Sequence, residues 1–205
     1  MVAFIIFERN FLKMKNKKTV IIIAIVAVIV IIGGTLMSSY NGLVTGRETV
    51  ESAESNIDTY LQRRADLIPN VVSTVKSFAS HETEVFDKVL EARTALVNAN
   101  TVEDKAEADA QLDTALQGIN VIVENYPELK SDATYIALMD ELEGSENRIA
   151  VARKDYNDAV KDYNNKVIRF PGSIAASIFG FEKAEYFEAD EESLTVPDVG
   201  AALGE

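Results

Sequence analysis

From Val20 to Ile32 every position is apolar, and the run continues through Gly33 and Gly34 to Leu36 and Met37 with only Thr19 and Thr35 as mild polar breaks. A core helix of a water-soluble domain keeps a polar face, and this stretch keeps none. Crossing roughly 30 Å of hydrocarbon takes about 20 such residues, so the pattern predicts a membrane helix over residues 19–38. A cleaved signal peptide is the competing reading, but its apolar region usually runs about 7–15 residues and ends at a small-x-small site. Thr35-Leu36-Met37-Ser38 offers no such site, so an uncleaved anchor in the lipid bilayer is expected.

After residue 38 the apolar positions recur at heptad spacing and signals for strands are few, which predicts four helices. The first, Ser39 to Ala65, carries Leu43, Val50 and Ile57 at one heptad position and Gly46, Ala53, Tyr60 and Leu67 at the other. Its small residues early on would let a neighbour approach closely. Pro69 suits a first helical turn better than a helix interior, so a tight turn is expected at Asp66-Leu67-Ile68, with a kinked continuous helix as the alternative. The second helix then carries Val71, Val75, Phe78, Val85, Val89, Ala92 and Leu96, interrupted by Glu82, and ends around Asn98-Ala99-Asn100. Thr101 is the expected N-cap of the third and shortest helix, whose stripe is Ala108, Leu112, Ala115, Ile119, Ile122 and Tyr126 before Pro127 stops it. Ser131 or Asp132 caps the fourth, with the stripe Tyr135, Leu138, Leu142, Ile149, Ala152, Tyr156, Ala159, Tyr163 and Phe170, ended by Pro171-Gly172. Short links favour antiparallel neighbours. The expected fold is therefore all-α: an N-terminal transmembrane helix followed by an antiparallel up-and-down four-helix bundle.

The expected division is a short basic segment over 1–18, the membrane helix over 19–38, the bundle over 39–181 and an acidic, mobile tail over 182–205. Within the bundle's range, Ser173 to Phe181 reads as a short apolar segment folding back onto one end. Val2 to Phe7 forms a further apolar patch ahead of Met14, where translation could equally begin.

Charge sharpens this picture. The formal net charge is −13, yet residues 1–37 sum to +4, which leaves −17 on the rest. A body this acidic repels phosphate backbones and anionic lipid headgroups, which argues against nucleic-acid binding and for protein partners. Lys13, Lys15, Lys17 and Lys18 precede the apolar run, whereas Arg47 is the only basic residue soon after it. The positive-inside rule then keeps the N-terminus cytoplasmic and the bundle outside, as a single-pass protein of the cell membrane. Cysteine is absent, which removes disulfides, thiolate metal sites and thiol nucleophiles.

Candidate chemistry is sparse. His81, the only histidine, precedes Glu82 and Glu84, but a di-iron bundle typically needs two Glu-x-x-His motifs, and residue 78 is Phe. A His-Glu-x-x-His zinc signature would need histidine at 85, where Val stands, so a solvated histidine is expected. Arg63-Arg64 beside Asp66 resembles a phosphate clamp, although ion pairs at a helix end explain the same residues more simply. No Gly-rich loop precedes a helix as a nucleotide site would require, and Gly33, Gly34, Gly42 and Gly46 read as close-packing or flexibility positions. Asp140, Glu141 and Glu143 read as a solvated face. Tyr135, Tyr156, Tyr163 and Phe170 have core spacing, and the buried hydroxyls need partners, for which Asn157 and Asn164 are the nearby candidates. No catalytic, cofactor-binding or metal-binding residue is assigned.

Several runs in order resemble the LemA family. They are Tyr40-Asn41-Gly42-Leu43-Val44, Arg63-Arg64-Ala65-Asp66-Leu67-Ile68-Pro69-Asn70, Val75-Lys76-Ser77-Phe78-Ala79-Ser80-His81-Glu82 and Glu91-Ala92-Arg93. Glu124-Asn125-Tyr126-Pro127-Glu128-Leu129-Lys130, Glu146-Asn147-Arg148-Ile149-Ala150, Arg153-Lys154-Asp155-Tyr156-Asn157-Asp158-Ala159-Val160 and Phe179-Gly180-Phe181 continue the series, which covers nearly all of 40–189. The resemblance implies a bacterial, membrane-anchored helical bundle with no established enzymatic activity. Glu54 stands where the family often has tryptophan, so the contact of that ring is absent or rebuilt here. The function expected is a non-catalytic interaction or scaffolding module at the cell envelope, binding other envelope proteins through helical faces or the Phe181 to Glu192 tail. A metal-binding or enzymatic bundle around His81 is the alternative.

Overall fold

The computed structural model describes residues 17–187. The N-terminal segment before residue 17, with its Val2–Phe7 patch and Met14, and positions 188–205 of the acidic tail lie outside the described residues. The described residues form helices α1 (Lys17–Phe78), α2 (Thr83–Asn98), α3 (Val102–Asn125), the single turn α4 (Pro127–Lys130), α5 (Ala133–Ile168) and α6 (Gly172–Phe179), with no strand among them. The chain is an all-α bundle with a long apolar N-terminal helix.

The apolar run and the first bundle helix are one continuous element. Its large side chains from Ile21 to Ile32 are 39–66% exposed, so no protein packs on that stretch. It is the one helix among the described residues long and apolar enough to cross a membrane.

Pro69 does not start a new helix. It lies inside α1, which runs on to Phe78 and breaks at residues 79–82 instead. The expected turn at Asp66-Leu67-Ile68 is thereby corrected, and the physical reason lies on α2. An interior proline withholds the N–H that would bond the carbonyl four residues back, here that of Ala65. The Arg93 side chain donates its Nε–H to that carbonyl at 3.0 Å. The freed acceptor is thus satisfied and the helix continues. Arg93→Met is expected to cost about 1–3 kcal/mol by stranding the carbonyl. The cost should shrink in a Pro69→Ala background, where a backbone N–H returns; a double-mutant cycle of denaturant midpoints checks this.

Two compact units divide the chain. Among the described residues the larger comprises 48–162 and 184–187. Within it Lys105 of α3 reaches Glu54 and Asp58 of α1, and Arg64, further along α1, reaches Asp109 and Asp113, further along α3, so these helices run parallel. The pairs Arg63–Glu141 and Tyr60–Ser145 descend along α5 as they ascend α1, so α5 runs the other way. Helix α2 turns back after the short link 79–82, which brings Arg93 to Ala65. The order is therefore up, down, up, down. Ile57, Ile68, Val71, Val75, Val89, Leu112, Ile119 and Ile149 fill the core with at most 1% exposure.

Local chemistry sets the ends. Thr101 and Asp104 form a reciprocal capping box on α3. Asp132, not Ser131, caps α5 by accepting the Tyr135 N–H at 2.8 Å. Because α1 absorbs the residues up to Phe78, α2 has 16 residues against 24 in α3, so the third helix is not the shortest.

Among the described residues the smaller unit comprises 17–47 and 163–183. A Cβ at Gly46 would sit 3.0 Å from Tyr163 Cδ2, the close approach that small residues on α1 foretold, whereas Gly33, Gly34 and Gly42 face open space. Phe170 leaves the tyrosine stripe. Helix α5 ends at Ile168, and Phe170 is 81% exposed rather than in the core. A residue before proline is steered away from helical backbone, which is why the heptad does not extend to it. Gly180, at φ +73°, closes α6 in the left-handed region, and the Phe181 N–H bonds the Ala176 carbonyl at 3.0 Å.

Candidate functional site

Heptad arithmetic on α1 runs Leu43, Val50, Ile57 and then Arg64, a guanidinium at a core position. Its residue is 2% exposed. Burial opposes its charge, but Asp109, Asp113 and Glu146 outweigh that penalty and hold its pKa above the ordinary arginine value. Asp109, fully buried on α3, accepts from both Arg64 and Arg153 of α5. Glu146 Oε2 lies 2.8 Å from Arg64 Nη1. Burial pushes the carboxyls of Asp109 and Glu146 upward, against the pull of the two guanidinium groups. The cluster ties three helices together across the core.

Sequence reasoning paired Arg64 with a helix end. No helix ends there, since α1 continues to Phe78, and both arginines pair across helices: Arg64 as described, Arg63 with exposed Glu141. Asp66 accepts instead from Gln62. A guanidinium already surrounded by three carboxylates is poorly placed to clamp phosphate.

A second buried cation lies nearby in sequence on α3. Lys105 donates to Glu54 at 2.9 Å and Asp58 at 2.6 Å. Burial works against its charge, and the hydrogen bonds to the two carboxylates overcome it, so its pKa is raised.

Residues 184–187 lie against α5 in the larger unit. The Tyr156 hydroxyl donates to the Glu185 carbonyl at 2.9 Å, Asn157 exchanges two hydrogen bonds with the Phe187 backbone, and the Arg153 guanidinium sits 4.7 Å from the Phe187 ring centroid. In the smaller unit the Tyr163 hydroxyl donates to the Glu182 carbonyl at 2.9 Å. The hydroxyls of Tyr156 and Tyr163 are therefore satisfied by backbone carbonyls after residue 181, while Asn157 bonds the Phe187 backbone. No local sequence signal could have revealed contacts spanning 19 to 30 residues.

Burial, then the carboxylates of Glu54 and Glu185, push Tyr156 up to about 12, and burial raises Tyr135 and Tyr163 as well. A raised tyrosine favours the neutral form in the fold. Its stabilisation is whole below the unfolded value near 10 and is lost as pH climbs through 10 to 12. For Tyr156 the loss is on the order of 3 kcal/mol, at about 1.4 per unit. Alkaline unfolding monitored by tyrosinate absorbance checks it: Tyr156→Phe should lose less stability over that interval than the parent.

His81 is exposed in the link before α2, and Glu84 pairs with Lys88 on its own helix. Among the described residues no group of three or more His, Asp or Glu side chains could hold a metal ion. Asp140 and Glu143 are exposed on α5. An open groove of ≈ 480 Å³ between α1 and α5 is lined by Asn56, Tyr60, Asn147, Arg148 and Asp155 among others.

The sequence profile described as the LemA family matches residues 53–200. The chain belongs to the LemA family. Two magnetosome proteins are similar to it: MamQ 2 of Paramagnetospirillum magneticum, 31% identical over 180 residues, covering 75% of this chain and 66% of that protein, and MamQ of Magnetospirillum gryphiswaldense, 29% identical over 179 residues with the same coverage. Protein LemA of Metamycoplasma hominis is 23% identical over 152 residues, covering 74% of this chain and 69% of its own. The chain thus spans just under two thirds of the length of the magnetosome proteins it matches. Glu54, the position where the family resemblance led to an expectation of tryptophan, makes an ion pair to Lys105 at 2.9 Å. This LemA-family chain is membrane-associated, and it carries one long apolar helix whose length and composition suit a membrane span.

Proposed function

We propose that this LemA-family chain is a single-pass membrane protein that holds a non-catalytic bundle outside the cytoplasm, where it docks or scaffolds other proteins of the cell envelope. The observation that carries the reading is the continuity of α1. One uninterrupted helix holds both the exposed apolar run Ile21–Ile32 and the buried seam from Leu43 to Val75. Whatever binds the bundle is thereby fixed to the bilayer. The reading keeps 1–18 as the cytoplasmic basic segment, 19–38 as the span, 39–181 as the bundle and 182–205 as the tail.

The chemistry supports docking over catalysis. Buried charges on α1, α3 and α5 are spent on one another, as Arg64, Asp109 and Arg153 illustrate. The names of the relatives tie two of them to a magnetosome and none of the three to a reaction. Exposed apolar side chains such as Val121 and Val151, each 60% exposed, are available on α3 and α5 as contact points.

A photo-crosslinking residue at Val121 or Val151 in intact cells tests the proposal. The expected result is a reproducible crosslink to a specific membrane or envelope protein, or to a second copy if the role is self-association. Absence of any reproducible crosslink at both positions contradicts it, as does a stoichiometric transition metal lost on His81→Ala.

A further inference from the structure

We infer that the corner after α5 together with the short helix α6, residues 168–181, is a second membrane contact, lying in the interfacial layer of the same bilayer that α1 enters. The inference rests on reading residues 19–38 as the span.

Helix α6 carries no charged residue: its sequence is Gly-Ser-Ile-Ala-Ala-Ser-Ile-Phe. Ala175 and Ala176 are buried, and the outer face carries exposed Ser177 as its one exposed polar side chain among large apolar ones. Ile174, Ile178 and Phe179 are 45%, 61% and 53% exposed, and Phe170 before them is 81% exposed. A helix facing water places charged or amide side chains on its outer side, and this one places isoleucine. At 8 residues it is about 12 Å long and far too short to span, so a lipid partner requires it to lie in the plane of the interface.

Its height along α1 is fixed within the smaller unit. A cavity of ≈ 360 Å³ is lined by Ser39 and Gly42 of α1 together with Phe170, Pro171 and Gly172. The Tyr40 ring lies 4.8 Å from Phe179 and 5.7 Å from Phe181. Residues 39–42 follow Met37, the last apolar position of the run, so at 1.5 Å per residue they stand about 3–8 Å beyond it. The headgroup layer on each side of the hydrocarbon is roughly 5–7 Å deep. The corner therefore meets α1 at the level of that layer.

Charge agrees. In a body of strongly negative sign, this corner gathers Lys166, Arg169 and Lys183 against Glu182, and the Arg47 guanidinium sits 5.4 Å over the Phe181 ring. Basic side chains beside an aromatic pair are what the membrane–water interface favours, where long cationic side chains snorkel and aromatic rings form a belt. Gly172 holds the corner in shape: a Cβ there would fall 2.2 Å from the Lys166 carbonyl oxygen.

The chain has no tryptophan, so single introduced tryptophans report their own depth. Full-length Phe170→Trp and Ile178→Trp proteins, in vesicles of phosphatidylglycerol and phosphatidylcholine, are compared with Ile29→Trp in the span and with free N-acetyltryptophanamide. The expected result is blue-shifted emission at 170 and 178, quenched by lipids brominated near the carbonyl end of the acyl chain and shielded from aqueous acrylamide. Ile29→Trp should respond most to bromine placed deeper. If Ile29→Trp is quenched but 170 and 178 behave like the free compound, the inference fails while the span stands. If Ile29→Trp is also unquenched, the span reading fails and takes the inference with it. Blue-shifted emission at 170 and 178 without bromine quenching means a protein covers the corner, which also overturns the proposal.

Discussion

Replacing Arg64 by methionine is expected to destabilise the bundle by about 3–5 kcal/mol, the cost of leaving a buried charge without its partner. Asp109 is the group left behind. It is fully buried, and only Arg153, itself partly exposed, would remain to answer it. Replacing both ends of the contact should be far milder than replacing one, because a buried pair exchanged for apolar side chains of similar volume is often neutral. Arg64→Met combined with Asp109→Leu is therefore expected to recover a substantial part of the loss. Denaturant midpoints of the two single variants and the double variant close the cycle. Equal midpoints for Arg64→Met and the parent would mean that the cluster contributes nothing to the fold.

The second large effect belongs to the apolar run. Arginine at the centre of a membrane helix costs about 2.5–3.5 kcal/mol in apparent insertion free energy, so Ile25→Arg with Ile29→Arg should cost roughly 5–7 kcal/mol. Both positions are exposed, at 54% and 61%, and neither touches the bundle's core. The double variant should consequently lose membrane integration while retaining its helices. Extraction by alkaline carbonate, read beside circular dichroism, measures the two separately.

How far the sequence revealed these features depends on the range of the interaction involved. The apolar run was legible because a contiguous stretch without a polar face has few alternatives. The heptad series on α1 was legible as well, and carried one step past Ile57 it lands on Arg64, so the buried cation was within reach of periodicity alone. On the third helix Ala108, Leu112, Ile119 and Ile122 of the expected stripe are buried, whereas Ala115 and Tyr126 are half-buried. Leu116 and Val123 are buried in their stead, as are Lys105 and Asp109, charged residues that a stripe drawn by hydropathy discounts. Pro69 was misjudged because the donor that permits it, Arg93, lies 24 positions further along and on another helix. Local propensity yielded there to a tertiary hydrogen bond. The hydroxyls of Tyr156 and Tyr163 posed the same difficulty, since their acceptors are backbone carbonyls beyond the bundle's last long helix.

The chain contains no cysteine, so a single introduced thiol reports which side of the bilayer it occupies. Lys15→Cys and Ser52→Cys bracket the apolar run, and a maleimide that cannot cross membranes is applied to spheroplasts and then to lysed membranes. The account predicts that Ser52→Cys reacts in intact spheroplasts and Lys15→Cys only after lysis. Equal reaction of both before lysis, or recovery of the protein in the soluble fraction, would contradict it.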